Sequence, residues 1–106
     1  MTKILILMND LDQILSFLAT NKDRFQKDYH LTKIGVFGSI VRNEQNTNSD
    51  IDLIVEFEEN TPDLFSIKKN LRAEIQNKFN RSVDLCREKY MHPFFKDSVI
   101  AEARYV

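Results

Sequence analysis

Asp50 and Asp52 are separated by one apolar residue at the start of the run formed by residues 50–57. The β-branched and aromatic residues of this run predict a strand, in which alternate side chains share one face. The two carboxylates should therefore point the same way, which is unfavourable unless a cation lies between them. Carboxylate oxygens suit Mg²⁺, which completes its coordination shell with phosphates and water. A pair of such ions about 3.5–4 Å apart could hold both the attacking and the leaving oxygen of a displacement at phosphorus.

Gly38 and Ser39 directly follow a second predicted strand, residues 31–37. A glycine lets the backbone approach a ligand closely, and free N–H groups at the start of a helix attract anions. We expect residues 40–44 to begin a helix capped by Ser39, with Arg42 one turn in to add a charge-assisted contact to phosphates. Gly38, Ser39 and Arg42 are therefore candidate nucleotide-binding residues.

A third acid, Asp84, lies in the run of residues 81–87. Val83 and Leu85 should face inward, which places Asp84 on the opposite face of a short strand. If this strand lies beside the one that carries the first two acids, three carboxylates converge. Asp84 could then hold a metal ion and assist the deprotonation of an acceptor hydroxyl.

Taken singly, each of these motifs has a plainer interpretation. A Gly-Ser pair before a helix is usually a turn and a cap. An isolated Asp-x-Asp at a strand end is more often a charged, solvated sheet edge, and a lone aspartate on a short strand is more often a surface residue. The combination of the three favours nucleotidyl transfer.

The order of these motifs resembles that of the minimal nucleotidyltransferases of the DNA polymerase beta-like superfamily. Gly38-Ser39, ten intervening residues, Asp50-Ile-Asp52 and a later Val-Asp84-Leu all match that pattern. More narrowly, the chain is similar to the MNT-domain antitoxins that pair with HEPN-domain toxins. The likeness covers nearly the whole chain, including the closing residues 98–106.

This resemblance implies roles for the matching residues. It implies ATP as substrate and Mg²⁺ as cofactor, Gly38 and Ser39 at the triphosphate, and Asp50, Asp52 and Asp84 as catalytic acids and metal ligands. It further implies a HEPN-type toxin as partner and transfer of AMP to a tyrosine hydroxyl of that toxin, which silences its ribonuclease activity.

The sequence departs from the family pattern at two positions. Val41 stands where the family often has alanine, and Asn43 stands where it often has glycine. Asparagine is among the few residues that tolerate a positive φ, so the second departure is compatible with a tight turn. The departures concern the path of the turn and leave the predicted metal site unchanged.

Size and charge limit the acceptors that this chain can serve by itself. Its 106 residues fit one compact domain with no room for separate fingers or thumb elements, and the resemblance implies that residues 1–106 are a single minimal nucleotidyltransferase domain. It has 15 Lys and Arg against 16 Asp and Glu, with no basic block, so direct nucleic-acid binding is not expected. A small-molecule acceptor would need a larger enclosing pocket. A protein acceptor that supplies the other wall fits best.

Two alternatives stay open at this point. The domain could neutralise a toxin by occlusion, as a binding module whose acids are vestigial or only bind metal. It could instead transfer a nucleotide to a small molecule or to a nucleic-acid end.

The other polar residues that could carry chemistry have structural interpretations. Cys86 is the only cysteine, so an intrachain disulfide is impossible and we expect a cytoplasmic protein with Cys86 as a buried filler. His30 and His92 lack neighbours at metal-ligand spacing, although His92 follows the Asp84 strand and could approach a nucleotide. The apolar residues 4–8 are too few for a signal peptide or a membrane span, and predict the opening of the first helix or an extra edge strand.

Three helices are expected to support these strands. The first begins at Asn9 or Asp10 and fades near His30, the second is opened by residues 61–63, and the last runs from Pro93 to the end of the chain. A polar loop of residues 43–49 lies beside the predicted site. The predicted fold class is α/β: a polymerase beta-like nucleotidyltransferase fold with a small mixed sheet, its three strands adjacent, helices on one face and the catalytic edge open.

Overall fold

The computed structural model of the chain describes residues 9–44 and 49–106. Within these ranges we number four helices and four strands in chain order. They are α1 (Asp10–Thr20), α2 (Lys22–Tyr29), β1 (Leu31–Phe37), β2 (Ile51–Phe57), α3 (Leu64–Phe79), β3 (Val83–Cys86), α4 (Pro93–Glu102) and β4 (Arg104–Tyr105), with short 3₁₀ turns at Gly38–Ile40 and Glu88–Tyr90.

The strands form one mixed sheet in the order β3-β2-β1-β4. β1 is antiparallel to both β2 and β4, whereas β2 and β3 run parallel. The predicted α/β class and the adjacency of the three motif-bearing strands are therefore confirmed. The parallel pair matters most for the site, because it places the ends of β2 and β3 that carry the acids side by side.

One face of the sheet carries the apolar core. The register pairs Ile34 with Val55 and Val36 with Leu53, so these side chains lie on the same face. Burying such a face against helices is the main source of stability in a domain of this size. The helices α1, α2 and α3 cover it, as predicted. The buried residues that they contribute are Ile14 and Leu18, Phe25, and Leu71 and Ile75.

The first predicted helix is divided in two. The cap is Asn9, whose side-chain oxygen accepts from the backbone N–H of Asp12 at 2.8 Å. Asn21 then separates α1 from α2, because both its side-chain amide and its backbone N–H donate to the carbonyl of Phe17. Such local side-chain bonds compete with helix continuation, which is why a continuous apolar pattern did not give a continuous helix.

The last helix also differs from the expectation, since it ends at Glu102 and not at the end of the chain. Tyr105 pairs with Gly35 on β1, and a β-carbon at position 35 would lie only 2.6 Å from a Tyr105 ring carbon. Gly35 thus leaves the space into which the tyrosine ring fits, and this tertiary contact converts the C-terminal residues into the edge strand β4.

Two expectations concern residues outside the described ranges. The apolar residues 4–8 lie outside them, and so do residues 45–48 of the polar loop. Among the helices that are described, none combines the length and the apolar character that crossing a membrane requires.

Candidate active site

The strand pairing brings Asp52 and Asp84 to neighbouring positions. They are register partners on the parallel strands β2 and β3. Because Ile51 and Leu53 on either side of Asp52 point into the core, both acids lie on the opposite face of the sheet. Asp50 directly precedes β2 and is exposed, as is Asp84. The predicted meeting of the Asp-x-Asp strand and the Asp84 strand is therefore found.

Asp52 carries the electrostatic signature of this meeting. Partial burial raises the pKa of its carboxyl group, and the negative charges of Asp84 and then Asp50 raise that pKa further. The guanidinium of Arg42 acts in the opposite direction, but the pKa stays above the ordinary aspartate value. A carboxylate held among other carboxylates favours a cation in their midst. The donor set, oxygen ligands only, fits Mg²⁺.

The acids do not by themselves form a closed metal cage. In residues 9–44 and 49–106, no three His, Cys, Asp or Glu side chains are grouped so that they could enclose an ion. Mg²⁺ is commonly held by one or two carboxylates, with phosphates and water supplying the rest. Asp50, Asp52 and Asp84 accordingly stay candidate ligands at an open edge of the sheet.

Gly38 brings the predicted phosphate turn into contact with this acid pair. Its φ is +82°, a left-handed conformation that glycine adopts without strain. A β-carbon at position 38 would collide with the carboxylate of Asp52, so this acid lies directly against the glycine backbone. Glycine is thus required here for two reasons: the left-handed backbone conformation and the close approach of the Asp52 carboxylate.

The helix that we expected at residues 40–44 with Ser39 as its cap is absent from the structure. Gly38–Ile40 forms a short 3₁₀ turn, and the backbone N–H of Glu44 donates to the carbonyl of Ser39 at 2.9 Å. Asn43 has a φ of +59°, as its tolerance of such values allows. The left-handed residues at both ends reverse the chain before a helix can grow. Ser39 and Arg42 therefore lie on a tight turn.

Glu102, at the end of α4, occupies the donors of this turn. The backbone N–H of Gly38 donates to Glu102 Oε1 at 3.0 Å. The Nη1 group of Arg42 donates to Oε1 at 2.9 Å and to Oε2 at 3.0 Å. The sequence contains no signal for this contact, because Arg42 and Gly38 are 60 and 64 residues away from Glu102 and share no motif with it.

Arg81 is a second residue whose role the sequence does not reveal. Its Nε and Nη2 groups donate to the carbonyl of Ser49 at 3.0 and 2.9 Å, and its Nη1 group donates to Asp10 Oδ2 at 3.1 Å. Its side chain is only 13% exposed. Arg81 thus fixes the residue before Asp50, and we assign it the role of positioning the start of β2.

Two further residues flank the acids. Cys86 is half-buried, and burial together with the charge of Asp84 raises the pKa of its thiol, which disfavours the reactive thiolate. His92 accepts a hydrogen bond from the backbone N–H of Phe94 through Nδ1 at 3.0 Å and thereby caps α4. The structural interpretation of His92 is supported by this bond.

Comparisons with known proteins agree with the geometry of the site. The nucleotidyltransferase domain family matches residues 17–106. A protein of Methanocaldococcus jannaschii, whose name marks it as a candidate protein adenylyltransferase, is 35% identical over 100 residues, 93% of this chain and 100% of that protein. The protein adenylyltransferase MntA of Thermococcus cleftensis is 32% identical over 99 residues, 93% of this chain and 98% of its own.

Solved structures show the same fold. A candidate minimal nucleotidyltransferase superposes with a TM-score of 0.73 at 24% identity, over 92% of this chain and 97% of that one. A toxin–antitoxin complex with AMP-PNP superposes with a TM-score of 0.61 at 20% identity, over 81% of this chain and 69% of that one. With its Asp52–Asp84 pair and its Gly38 turn, the chain belongs to the nucleotidyltransferase domain family.

Proposed function

We propose that this nucleotidyltransferase transfers AMP from ATP to a tyrosine hydroxyl of a HEPN-type toxin and thereby acts as its antitoxin. The observation that carries the proposal is the contact of Asp52 with Gly38 on one side and its pairing with Asp84 on the other. This arrangement joins a place for a cation to a place for phosphate, which are the two requirements of nucleotidyl transfer. The naming of its relatives as protein adenylyltransferases supports the choice of a protein acceptor.

Each residue has a distinct part in the proposed reaction. Gly38 and Arg42 hold the triphosphate through a backbone N–H and a guanidinium, with Ser39 in the same turn. Asp50, Asp52 and Asp84 would supply carboxylate ligands to Mg²⁺, with phosphates and water completing its shell, and the ion would neutralise charge on the phosphate oxygens. Asp84 accepts the proton of the acceptor hydroxyl, whose oxygen bonds to the α-phosphorus as the bond to pyrophosphate breaks.

The openness of the site supports an acceptor that comes from another protein. Asp50 and Asp84 are exposed, so the described residues build only one wall around the acids. The chain after β3, the strand that carries Asp84, exposes three aromatic side chains. Tyr90, Phe94 and Phe95 are 73%, 78% and 60% exposed. Large aromatic groups on a surface mark places where a partner protein binds. A toxin that covers this segment would bind next to the end of β3, the strand that carries Asp84.

The test is the intact mass of the partner. The protein encoded beside this gene is co-expressed with the wild-type chain, with Asp52→Asn and with Asp23→Asn, a matched control that removes an exposed acid from α2. We expect one or more AMP additions with the wild type and with Asp23→Asn, and none with Asp52→Asn. A partner that is bound tightly but never modified would instead support neutralisation by occlusion. Turnover of a small molecule or a nucleic-acid end without the partner would support the other alternative.

A further inference from the structure

The turn expected to bind phosphate already holds an anion of the protein itself. Glu102 accepts from the Gly38 N–H at 3.0 Å and from Arg42 Nη1 at 2.9 and 3.0 Å. A backbone N–H beside a forked guanidinium is a donor set that suits a carboxylate and a phosphate equally well. In the structure, the donors of the turn are therefore hydrogen-bonded to a carboxylate, which is an anion like the phosphate that they are expected to bind.

Glu102 does not relieve the charge of the neighbouring acids. Its carboxylate binds the N–H of Gly38, the residue whose backbone lies against the carboxylate of Asp52, so it adds a negative charge beside the acids. By pairing with Arg42, Glu102 also engages the cation that offsets the charge of the acids. The contact with Glu102 consequently keeps the turn ordered while it adds negative charge where an anionic substrate has to bind.

The position of Glu102 allows it to leave without unfolding its surroundings. It is the last residue of α4, and the next residue, Ala103, is already extended and leads into β4. The side chain is 24% exposed, so a rotation about its own bonds can carry the carboxylate toward water. β4 can stay paired with β1 during this movement.

We propose that Glu102 is an internal anion that fills the phosphate-binding turn in the free protein and is displaced from Gly38 and Arg42 by the triphosphate. The identity of the triphosphate as ATP rests on the proposed function, whereas the competition of two anions for one turn does not. Glu102 then sets nucleotide affinity, because the apparent dissociation constant rises as the fraction of protein with a vacant turn falls.

The test measures how tightly two anions bind to the wild type and to variants in which Glu102 is replaced. Calorimetry measures the Kd of ATP with Mg²⁺ and, separately, the Kd of inorganic tripolyphosphate, for the wild type, Glu102→Gln and Glu102→Ala. We expect both variants to bind both anions about three- to fivefold more tightly, the range set by removal of a partly exposed ion pair. A thermal midpoint checks that each variant is folded.

Glu44→Gln is the matched control. Glu44 also pairs with Arg42, through Nε at 3.2 Å, and the Gly38 N–H donates to Glu102 instead. If occupancy of the turn is what matters, Glu44→Gln should change the Kd less than Glu102→Gln does. An equal gain in the two variants would show a general effect of charge and would overturn the proposal. So would unchanged or weaker binding in both Glu102 variants.

Titration of the wild type gives the answer even if the variants do not fold. With side-chain ¹³C labelling of glutamate, tripolyphosphate should shift the Glu102 carboxyl resonance in parallel with the Gly38 amide resonance. A Gly38 shift with the Glu102 carboxyl unchanged would overturn the proposal. Binding of tripolyphosphate but not of ATP would contradict the proposed function and leave displacement of Glu102 intact, so the two failures are distinguishable.

Discussion

The carboxylate of Asp52 lies directly against the backbone of Gly38. A residue predicted to hold metal and a residue predicted to hold phosphate therefore share one contact, although ten residues separate the Gly38-Ser39 motif from the Asp-x-Asp motif. The contact forms because β1 ends at Phe37, whose register partner on β2 is Asp52. The antiparallel pairing of these two strands thus delivers the turn to the acid.

The first prediction concerns Gly38→Ala. The new side chain would have to adopt a left-handed φ, at about 1–2 kcal/mol, and would also displace Asp52. We expect a lower free energy of unfolding, measured with urea, and loss of ATP binding. Asn43→Gly is the control, because it relaxes a left-handed residue in the same turn and should not destabilise. An unfolding free energy unchanged by Gly38→Ala would contradict the assigned conformation.

The second prediction concerns the pH dependence of stability through Asp52. Its pKa is raised in the folded state, so the ionised carboxylate weakens folding, and stability is lost as the pH rises through that folded-state value. Asp52→Asn should consequently raise the thermal midpoint at neutral pH without divalent ions, by a few degrees. The gain should vanish in acid, where the wild-type carboxyl is protonated. Asp23→Asn should show neither effect, and a gain that persists in acid would refute the electrostatic cause.

The third prediction concerns Mg²⁺. An ion that binds only the folded state stabilises that state, by about 2.7 kcal/mol when the ion concentration is one hundred times its Kd. Mg²⁺ together with ATP should raise the thermal midpoint of the wild type over a sample in EDTA, and should raise that of Asp52→Asn or Asp84→Asn much less. Equal shifts for the wild type and both variants would place the ion elsewhere.

The fourth prediction concerns Arg81→Ala. The substitution removes the bonds to the Ser49 carbonyl and to Asp10, at about 1–3 kcal/mol for bonds that involve a charged group. We expect this loss in urea unfolding, together with slower transfer because Asp50 is no longer fixed. Arg72→Ala on α3 is the control, since no hydrogen bond or ion pair of its side chain is found in the described part of the chain. An equal loss for the two variants would contradict the positioning role.

The fifth prediction concerns the edge strand β4. Gly35→Ala should destabilise the chain, because a β-carbon at position 35 would lie 2.6 Å from a Tyr105 ring carbon. Combining it with Tyr105→Ala should recover part of that loss, so the two effects should not add in a double-mutant cycle of urea unfolding. Simple additivity would show that the ring is not what fills the space above Gly35.

The sequence by itself determined the family fold and the members of the candidate site. Alternation in residues 50–57 and around Asp84 predicted two strands with acids on one face, and Gly38 predicted a close approach of the backbone to a ligand. These are local properties, since strand periodicity and the small size of glycine do not depend on distant residues. For that reason α3 and β3 also formed where their patterns predicted them.

Tertiary structure alone decided the contacts that complete the site. The end of α4 at Glu102 and the strand β4 depend on residues distant in sequence, such as the Gly35–Tyr105 pair. The bonds from Gly38 and Arg42 to Glu102, and from Arg81 to Ser49, likewise carry no sequence signal. These bonds form only after folding has brought the partners together. No local pattern in the sequence indicates which distant carboxylate or carbonyl a donor will meet.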